Sequence, residues 1–221
     1  MPRVARVVVP GVAHHVTQRG NRRCDVFADD ADRRLYLSLL RRYTDRYGLL
    51  IWAYCLMTNH VHFVATPSAA DSLGRTFRDA HQAYAAKFNR KMGESGHLWQ
   101  GRFFSTPLDE RHFWSAVRYV ERNPVRAGLV RAAWLYAWSS AAAHCGLRAD
   151  PLLSGDLELS DQVSDWKAFL SEADDPAVAE IRLKTRTGRP CGDDGFIQRL
   201  ETLLARPLRP RKPGRKPKAK S

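Results

Sequence analysis

Two histidines separated by one residue, His60 and His62, are the first candidates for chemistry in this chain. They lie in an apolar, β-prone stretch from Leu50 to Thr66, which predicts two strands around a short break. Side chains alternate faces along a strand, so both imidazoles point the same way, roughly 7 Å apart, while Val61 and Phe63 point to the other face. Such a pair can converge on one divalent ion, although two half-buried polar residues satisfied by their neighbours would show the same pattern.

A tyrosine and an asparagine four residues apart form the second candidate group. The segment from Asp109 to Asn123 is predicted to be a helix, because its first turn is acidic and its apolar residues follow helical spacing. Pro124 disfavours helical geometry at the residue before it, so the helix should end near Asn123. Tyr119 and Asn123 then share a face, and the Asn123 amide oxygen could complete a two-histidine site for magnesium or manganese. Without the histidines, a core-edge tyrosine and a helix stop would explain both residues.

Four motifs in this order resemble those of the single-tyrosine HUH transposases, and most closely those of the REP-associated tyrosine transposases of bacteria. HUH denotes two histidines around a bulky hydrophobic residue, which is Val61 here. The resemblance covers about residues 1–145, and its motifs lie at 14–21, 56–62, 96–103 and 119–128.

The resemblance implies a fold and a set of site residues. By position, His60 and His62 match the metal-binding pair and Tyr119 matches the nucleophile. Asn123 matches a further ligand, at a position whose residue type varies between relatives. The implied cofactor is a divalent metal, Mg²⁺ or Mn²⁺. The implied fold is α+β and ferredoxin-like (the HUH endonuclease fold), with an antiparallel sheet that carries the HUH motif and helices packed over it.

The resemblance also implies a substrate, single-stranded DNA next to a hairpin, and a mechanism. Tyr119 would attack the scissile phosphate, form a covalent 5′-phosphotyrosine and release a 3′-hydroxyl. A second 3′-hydroxyl could then rejoin the DNA without ATP. The chain has no Gly-x-x-x-x-Gly-Lys-Ser/Thr phosphate loop, so no nucleotide cofactor is expected.

The distribution of charge favours a polyanionic partner. The formal net charge is +13. Residues 1–148 carry a net +11 and residues 206–221 carry +8, whereas residues 149–180 carry −8. Because the excess lies on the predicted catalytic domain and on the tail, we expect DNA binding that weakens with salt.

Three regions follow from the remaining patterns. Residues 1–145 form the catalytic domain, whose other predicted elements are strands at 13–18 and 102–108 and helices at 29–47 and 72–91. Residues 146–205 form an extension with short helices at 161–172, 176–184 and 193–204. This extension is either a second DNA contact of helix-turn-helix type or a packing appendage. Residues 206–221 are predicted to be a disordered basic tail.

Further DNA contacts are predicted from donors and aromatic side chains near the motifs. The candidates are Arg19, Asn21, Arg22, Arg23, Trp99, Gln100, Arg102 and Arg126. For each of them, a solvated or a core role explains the residue nearly as well. The other histidines are expected to be structural or surface residues rather than ligands, namely His14, His15, His81, His97, His112 and His144.

Cysteine usage and hydropathy bear on the compartment. The four cysteines are widely spaced without a Cys-x-x-Cys pair, which argues against a zinc ribbon and is typical of reduced thiols in a cytoplasmic protein. No stretch approaches the roughly 20 apolar residues of a membrane span, and the first apolar run is too short for a signal peptide. We therefore expect a cytoplasmic protein without membrane contact, as a monomer or a homodimer.

Three functions remain open at the level of the sequence. The first is a single-stranded DNA endonuclease and strand transferase. The second is a hairpin-DNA-binding protein of the same fold that does not catalyse. The third is a two-histidine metallohydrolase with another substrate, in which Tyr119 is an acid or a hydrogen-bond donor. A trapped covalent DNA–tyrosine adduct would separate the first function from the other two.

Overall fold

A computed structural model describes residues 6–153, 159, 162–173 and 175–209 of the 221-residue chain. In these residues an antiparallel four-stranded sheet has the order β2-β3-β1-β4. Its strands are β1 (His14–Arg19), β2 (Leu49–Leu56), β3 (His60–Pro67) and β4 (Phe104–Pro107). Since β1 lies between β3 and β4, the first motif of the sequence is next to the histidine motif, with Arg19 opposite His60 and Thr17 opposite His62.

Two long helices cover one face of the sheet, α1 (Asp30–Tyr47) and α2 (Ser72–Met92). A capping box begins α1, because the Asp29 side chain accepts from the backbone N–H of Asp32 and the Asp32 side chain accepts from that of Asp29. The core between these helices and the sheet is aromatic, and its fully buried side chains include Tyr36, Phe63, Phe77 and Tyr84.

The opposite face of the sheet carries the tyrosine helix, α3 (Glu110–Glu121), which is followed by the single turn α4 (Asn123–Arg126). Val117 and Val120 of α3 pack against Cys55 and Val64 of the sheet. The alternation along β3 is as predicted, because Val61 and Phe63 join the aromatic core while His62 packs edge-on against Tyr119 on the α3 side. This is the α+β layered architecture that the sequence predicted.

The extension folds back onto the tyrosine helix. It follows the short helix α5 (Ala141–His144), and its helices in the described residues are α6 (Trp166–Ser171), α7 (Ala177–Thr187) and α8 (Asp194–Leu204). Trp166 of α6 and Ile181 of α7 join the core beneath α3, and α7 also packs against β1 and β4. Of the two alternatives for this region, the packing one agrees with these contacts.

Several boundaries differ from the sequence prediction. The last strand covers Phe104–Pro107 rather than 102–108. Helix α3 ends at Glu121, and a separate helical turn, with Pro124 in its first turn, begins at Asn123. Helix α6 begins at Trp166, where the Asp165 side chain caps it, rather than at 161.

The beginning of the predicted tail is packed against the rest of the chain. Leu208 is buried with Phe196 and Val7, and Arg209 pairs with Asp194 and Glu201. Residues 206–209 are therefore held in place, unlike the disordered tail predicted from 206 onwards, and residues 210–221 lie outside the described residues.

All four cysteines lie within the described ranges and are free thiols, as the sequence predicted. None of the helices in the described part of the chain has the length and apolar character needed to cross a membrane.

Candidate active site

The four residues singled out by type and spacing line one cavity of about 510 Å³. His60 and His62 reach it from β3, and Tyr119 and Asn123 reach it from α3 and α4. The cavity therefore lies between the sheet and the tyrosine helix, where two remote parts of the sequence meet.

The two histidine rings lie close together at the cavity. Their ring centroids are 5.1 Å apart and their planes are nearly perpendicular, at 85°. The Nδ1 of His60 is 2.7 Å from the Asn59 side-chain oxygen, and the Nδ1 of His62 is 2.9 Å from the His15 Nε2. Because a hydrogen bond occupies each Nδ1, each Nε2 is the nitrogen left to bind a metal.

Both histidines are held in the uncharged form that binds metals. Burial, and to a smaller extent the positive charge of Arg19, lowers the pKa of His60 to about 4. Burial also lowers the pKa of His62 well below its usual value, with additional repulsion from His15, His60, Arg126 and Arg19. At neutral pH both imidazoles therefore offer a lone pair.

Tyr119 is buried, at 5% exposure, and two arginines flank it. The Arg182 Nε donates to the Tyr119 hydroxyl at 3.2 Å, and the Arg126 guanidinium lies 4.2 Å from the ring centroid. The tyrosine ring meets His62 edge-on, with 5.5 Å between centroids. The hydroxyl is therefore next to positive charge, which can stabilise an oxyanion there.

Asn123 presents its amide with a fixed orientation. Its Nδ2 donates to the backbone carbonyls of Tyr119 and Val120, both at 3.2 Å. These bonds turn the amide oxygen away from the α3 backbone, so this oxygen is the atom that could ligate. Two imidazole nitrogens and one amide oxygen are a donor set that suits Mn²⁺ and, through its oxygen, Mg²⁺. The residues therefore fit the predicted cofactor.

A second group of potential metal ligands lies outside this cavity. One ligand atom each from His112, Glu180 and Cys191 fall within 4.8 Å of one another. His112 already bonds to Asp109 at 2.6 Å through Nδ1, and Glu180 already pairs with Lys184 at 3.4 Å. The His112 Nε2 also lies 3.4 Å from the Glu180 carboxylate, so we interpret this pair as a polar contact between α3 and α7.

The predicted DNA contacts separate into two sets. Arg19, Gln100 and Arg126 line the cavity, and Arg102 lines an adjoining groove of about 240 Å³ that shares Gln100 with it. The remaining candidates lie outside the cavity lining and the groove, and are Asn21, Arg22, Arg23 and Trp99.

Trp99 differs most from its predicted role. Its side chain is 8% exposed, its Nε1 donates to the His81 carbonyl, and its ring packs against Tyr36 and Tyr84. Its ring belongs to the core, which corrects the prediction of a surface for unstacked bases. The exposed aromatic residue beside the cavity is Phe104, at 45% exposure.

Sequence reasoning missed several residues of this cavity. They include His15, Arg182, Thr185, Arg186 and Phe104. Alternation along β1 was a usable signal for His15, because His15 and Thr17 share the face opposite the buried Val16. No sequence signal placed α7 at the cavity, since that contact depends on how the extension folds back.

An antiparallel sheet with two adjacent histidines opposite a helix-borne tyrosine is the arrangement expected of a single-tyrosine HUH transposase. The family model described as "Transposase IS200 like" matches residues 8–123, which is more than half of the chain. The chain therefore belongs to the IS200-like transposase family, and the predicted resemblance is confirmed.

One solved structure supports the fold. A structure of a REP-associated tyrosine transposase bound to a REP hairpin aligns with a TM-score of 0.53 at 20% identity, covering 71% of this chain and 93% of that one. A putative transposase from Deinococcus radiodurans R1 aligns with a TM-score of 0.38 at 20% identity, covering 55% of this chain and 97% of that one. No curated protein sequence matches the chain.

Proposed function

We propose that this protein is a metal-dependent, cytoplasmic endonuclease and strand transferase of single-stranded DNA that cleaves next to hairpins with Tyr119 as nucleophile. The observation that carries the proposal is the single cavity in which Tyr119 faces His60, His62 and Asn123. Membership of a transposase family supports DNA processing. The hairpin bound to the structurally similar transposase supports hairpin DNA as the partner.

The cleavage step exchanges one phosphate ester for another. The Tyr119 oxygen attacks phosphorus, a bond from phosphorus to this oxygen forms, and the bond from phosphorus to the 3′-oxygen breaks. The tyrosine hydroxyl loses its proton and the departing 3′-oxygen gains one. Attack by another 3′-hydroxyl on the phosphotyrosine reverses these changes and joins two strands, so no external energy source is required.

Each side chain at the site has a defined task. Arg182 and Arg126 face Tyr119 and would stabilise negative charge on its oxygen and on the phosphate. A divalent ion held by His60, His62 and Asn123 would polarise the scissile phosphate.

The DNA backbone on either side of the cleavage point needs contacts of its own. We assign this role to the cavity residues Arg19 and Gln100, to Arg102 in the adjoining groove, and to Asn21, Arg22 and Arg23 beyond β1. These contacts should weaken as the salt concentration rises, because each phosphate that is neutralised releases counterions.

A denaturing gel with hairpin oligonucleotides tests this function. Because the adduct retains the fragment downstream of the cut, the DNA is labelled at its 3′ end and incubated with Mn²⁺ or with EDTA. We expect a labelled protein band that requires Mn²⁺ and is lost in Tyr119→Phe. Tyr43→Phe, the same change on α1 outside the cavity, should retain the band.

Two results would contradict the proposal. Cleavage that requires metal but gives no protein-linked DNA would favour the metallohydrolase. Binding without cleavage across a hairpin library would favour the non-catalytic DNA-binding protein.

A further inference from the structure

A buried hydrogen-bonded chain links the C-terminal extension to the histidine motif. The Thr185 hydroxyl on α7 is 2.7 Å from the His15 Nδ1, and the His15 Nε2 is 2.9 Å from the His62 Nδ1. The three side chains are almost inaccessible, with exposures of 2%, 1% and 6% for Thr185, His15 and His62. The two imidazole rings are nearly parallel, 13° apart with centroids 5.2 Å from each other.

The protons on this chain can be arranged in two ways. In the first, the His62 Nδ1–H donates to the His15 Nε2, and the His15 Nδ1–H donates to the Thr185 oxygen. In the second, every bond is reversed, Thr185 donates to His15, and His62 carries its proton on Nε2. A neutral imidazole has one donor and one acceptor nitrogen, so these arrangements cannot be mixed within the chain.

Only the first arrangement leaves the His62 Nε2 with a lone pair on the cavity side. Histidine ligands are generally fixed in this way by a partner on their other nitrogen. We propose that His15 and Thr185 are positioning residues that hold His62 in its metal-binding tautomer, so that the extension completes the active site. This inference rests on the proposed function only in taking His62 as a metal ligand.

The Thr185 hydroxyl decides between the two arrangements because it is the last group of the hydrogen-bonded chain. If the hydroxyl is removed, the first arrangement leaves the Nδ1–H of His15, a side chain that is 1% exposed, without an acceptor, which is costly. The reversed arrangement leaves this nitrogen as an acceptor without a donor, which is less costly than a buried unsatisfied N–H. Loss of the hydroxyl should therefore move the His62 proton towards Nε2, where the metal has to bind.

The same helix also contacts the nucleophile. Arg182, three residues before Thr185 and on the same side of α7, donates to the Tyr119 hydroxyl. Helix α7 is therefore linked to the histidine motif through His15 and contacts the tyrosine directly, and it packs against β1, β4 and α3.

The test uses Thr185→Val, which keeps the shape of the side chain and removes its hydroxyl. In the metal-free protein, ¹⁵N NMR of the histidines should show the His62 proton on Nδ1 in the wild type and a shift towards Nε2 in the variant. Mn²⁺ affinity should fall roughly 10- to 100-fold, the range seen when such outer partners are removed. Thr185→Ser should restore both readouts, and Thr187→Val, at an exposed threonine of α7, should change neither.

A double-mutant cycle protects the test against a folding defect. The amide of His15→Gln can accept from the His62 Nδ1–H without help from Thr185, so adding Thr185→Val to it should cost little further Mn²⁺ affinity. The proposal is overturned if folded Thr185→Val keeps the wild-type tautomer and Mn²⁺ affinity, or if its effect is equally large in the His15→Gln background.

These readouts are independent of cleavage. If the wild type forms no DNA adduct but Thr185→Val still changes the tautomer and the Mn²⁺ affinity, the positioning role stands and the proposed function fails. If the adduct forms and Thr185→Val leaves the tautomer and the Mn²⁺ affinity unchanged, the proposed function stands and the positioning role fails.

Discussion

Acidification should destabilise this protein through its buried histidines, and His81 provides the clearest case. This side chain lies on α2 in the aromatic core, 7% exposed, where its Nε2 is 2.9 Å from the Tyr36 hydroxyl. Its ring stacks on Tyr36 and lies 4.5 Å from Trp99 between centroids. Burial lowers the pKa of His81 to about 3 from its usual 6.5.

The sign and size of the effect follow from this difference. Because the pKa is lower in the folded state, the unfolded chain takes up the proton first as the pH falls below 6.5. The contribution of the uncharged His81 to the free energy of unfolding is complete above pH 6.5 and is lost progressively as the pH falls towards 3. One pH unit below the unfolded pKa corresponds to about 1.4 kcal/mol, so His81 should cost about this much between roughly pH 7.5 and 5.5.

Urea unfolding at these two pH values measures the cost. We expect the wild type to lose about 1.4 kcal/mol more than His81→Gln, because the other buried histidines act equally in both proteins and cancel in the comparison. His97→Gln replaces an exposed histidine and controls for the change in histidine number. Equal losses in the wild type and in His81→Gln would refute the reasoning.

Other predictions concern packing and the metal. Gly20→Ala should cost about 1–3 kcal/mol in thermal or urea unfolding, because the added Cβ lies 2.2 Å from the Cys24 carbonyl oxygen and 2.8 Å from Val26; unchanged stability would contradict this. Phe77→Ala should lower the free energy of unfolding by about 3–5 kcal/mol, since the ring is fully buried. A smaller loss would mean that neighbouring side chains fill the space that the ring leaves. Asn123→Ala should weaken Mn²⁺ binding in calorimetry, and an unchanged affinity would exclude its amide as a ligand. EDTA should abolish cleavage but preserve hairpin binding in a filter assay, whereas equal loss of both would make the metal part of DNA recognition.

The elements that hold the four principal residues could be predicted because their signals are local. Val61 and Phe63 alternate with His60 and His62, which places the two histidines on the same face of β3. This placement depends only on the strand itself. Tyr119 and Asn123 remain close together although α3 ends between them, because the Asn123 Nδ2 donates to the Tyr119 carbonyl. That the strand and the helix meet in one cavity followed from the family resemblance.

The other contacts depend on residues far apart in the sequence. Thr185 is 170 positions from His15, and nothing local in α7 indicates that its hydroxyl bonds to a histidine of β1. Trp99 follows a glycine-containing loop, and its burial depends on Tyr36 and Tyr84 from α1 and α2. Leu208 belongs to a basic, proline-containing segment, and the apolar contact with Phe196 that buries it is visible only in the fold.

The central claim is that Tyr119 becomes covalently linked to DNA, and mapping the linked residue tests it most directly. After reaction with hairpin DNA and Mn²⁺, nuclease treatment should leave a nucleotide attached to the protein. Trypsin then releases Tyr119 in a short peptide that ends at Arg122, since Arg118 precedes it. We expect mass spectrometry to find the nucleotide on this peptide. A nucleotide on another residue, or cleaved DNA without any modified peptide, would contradict the account.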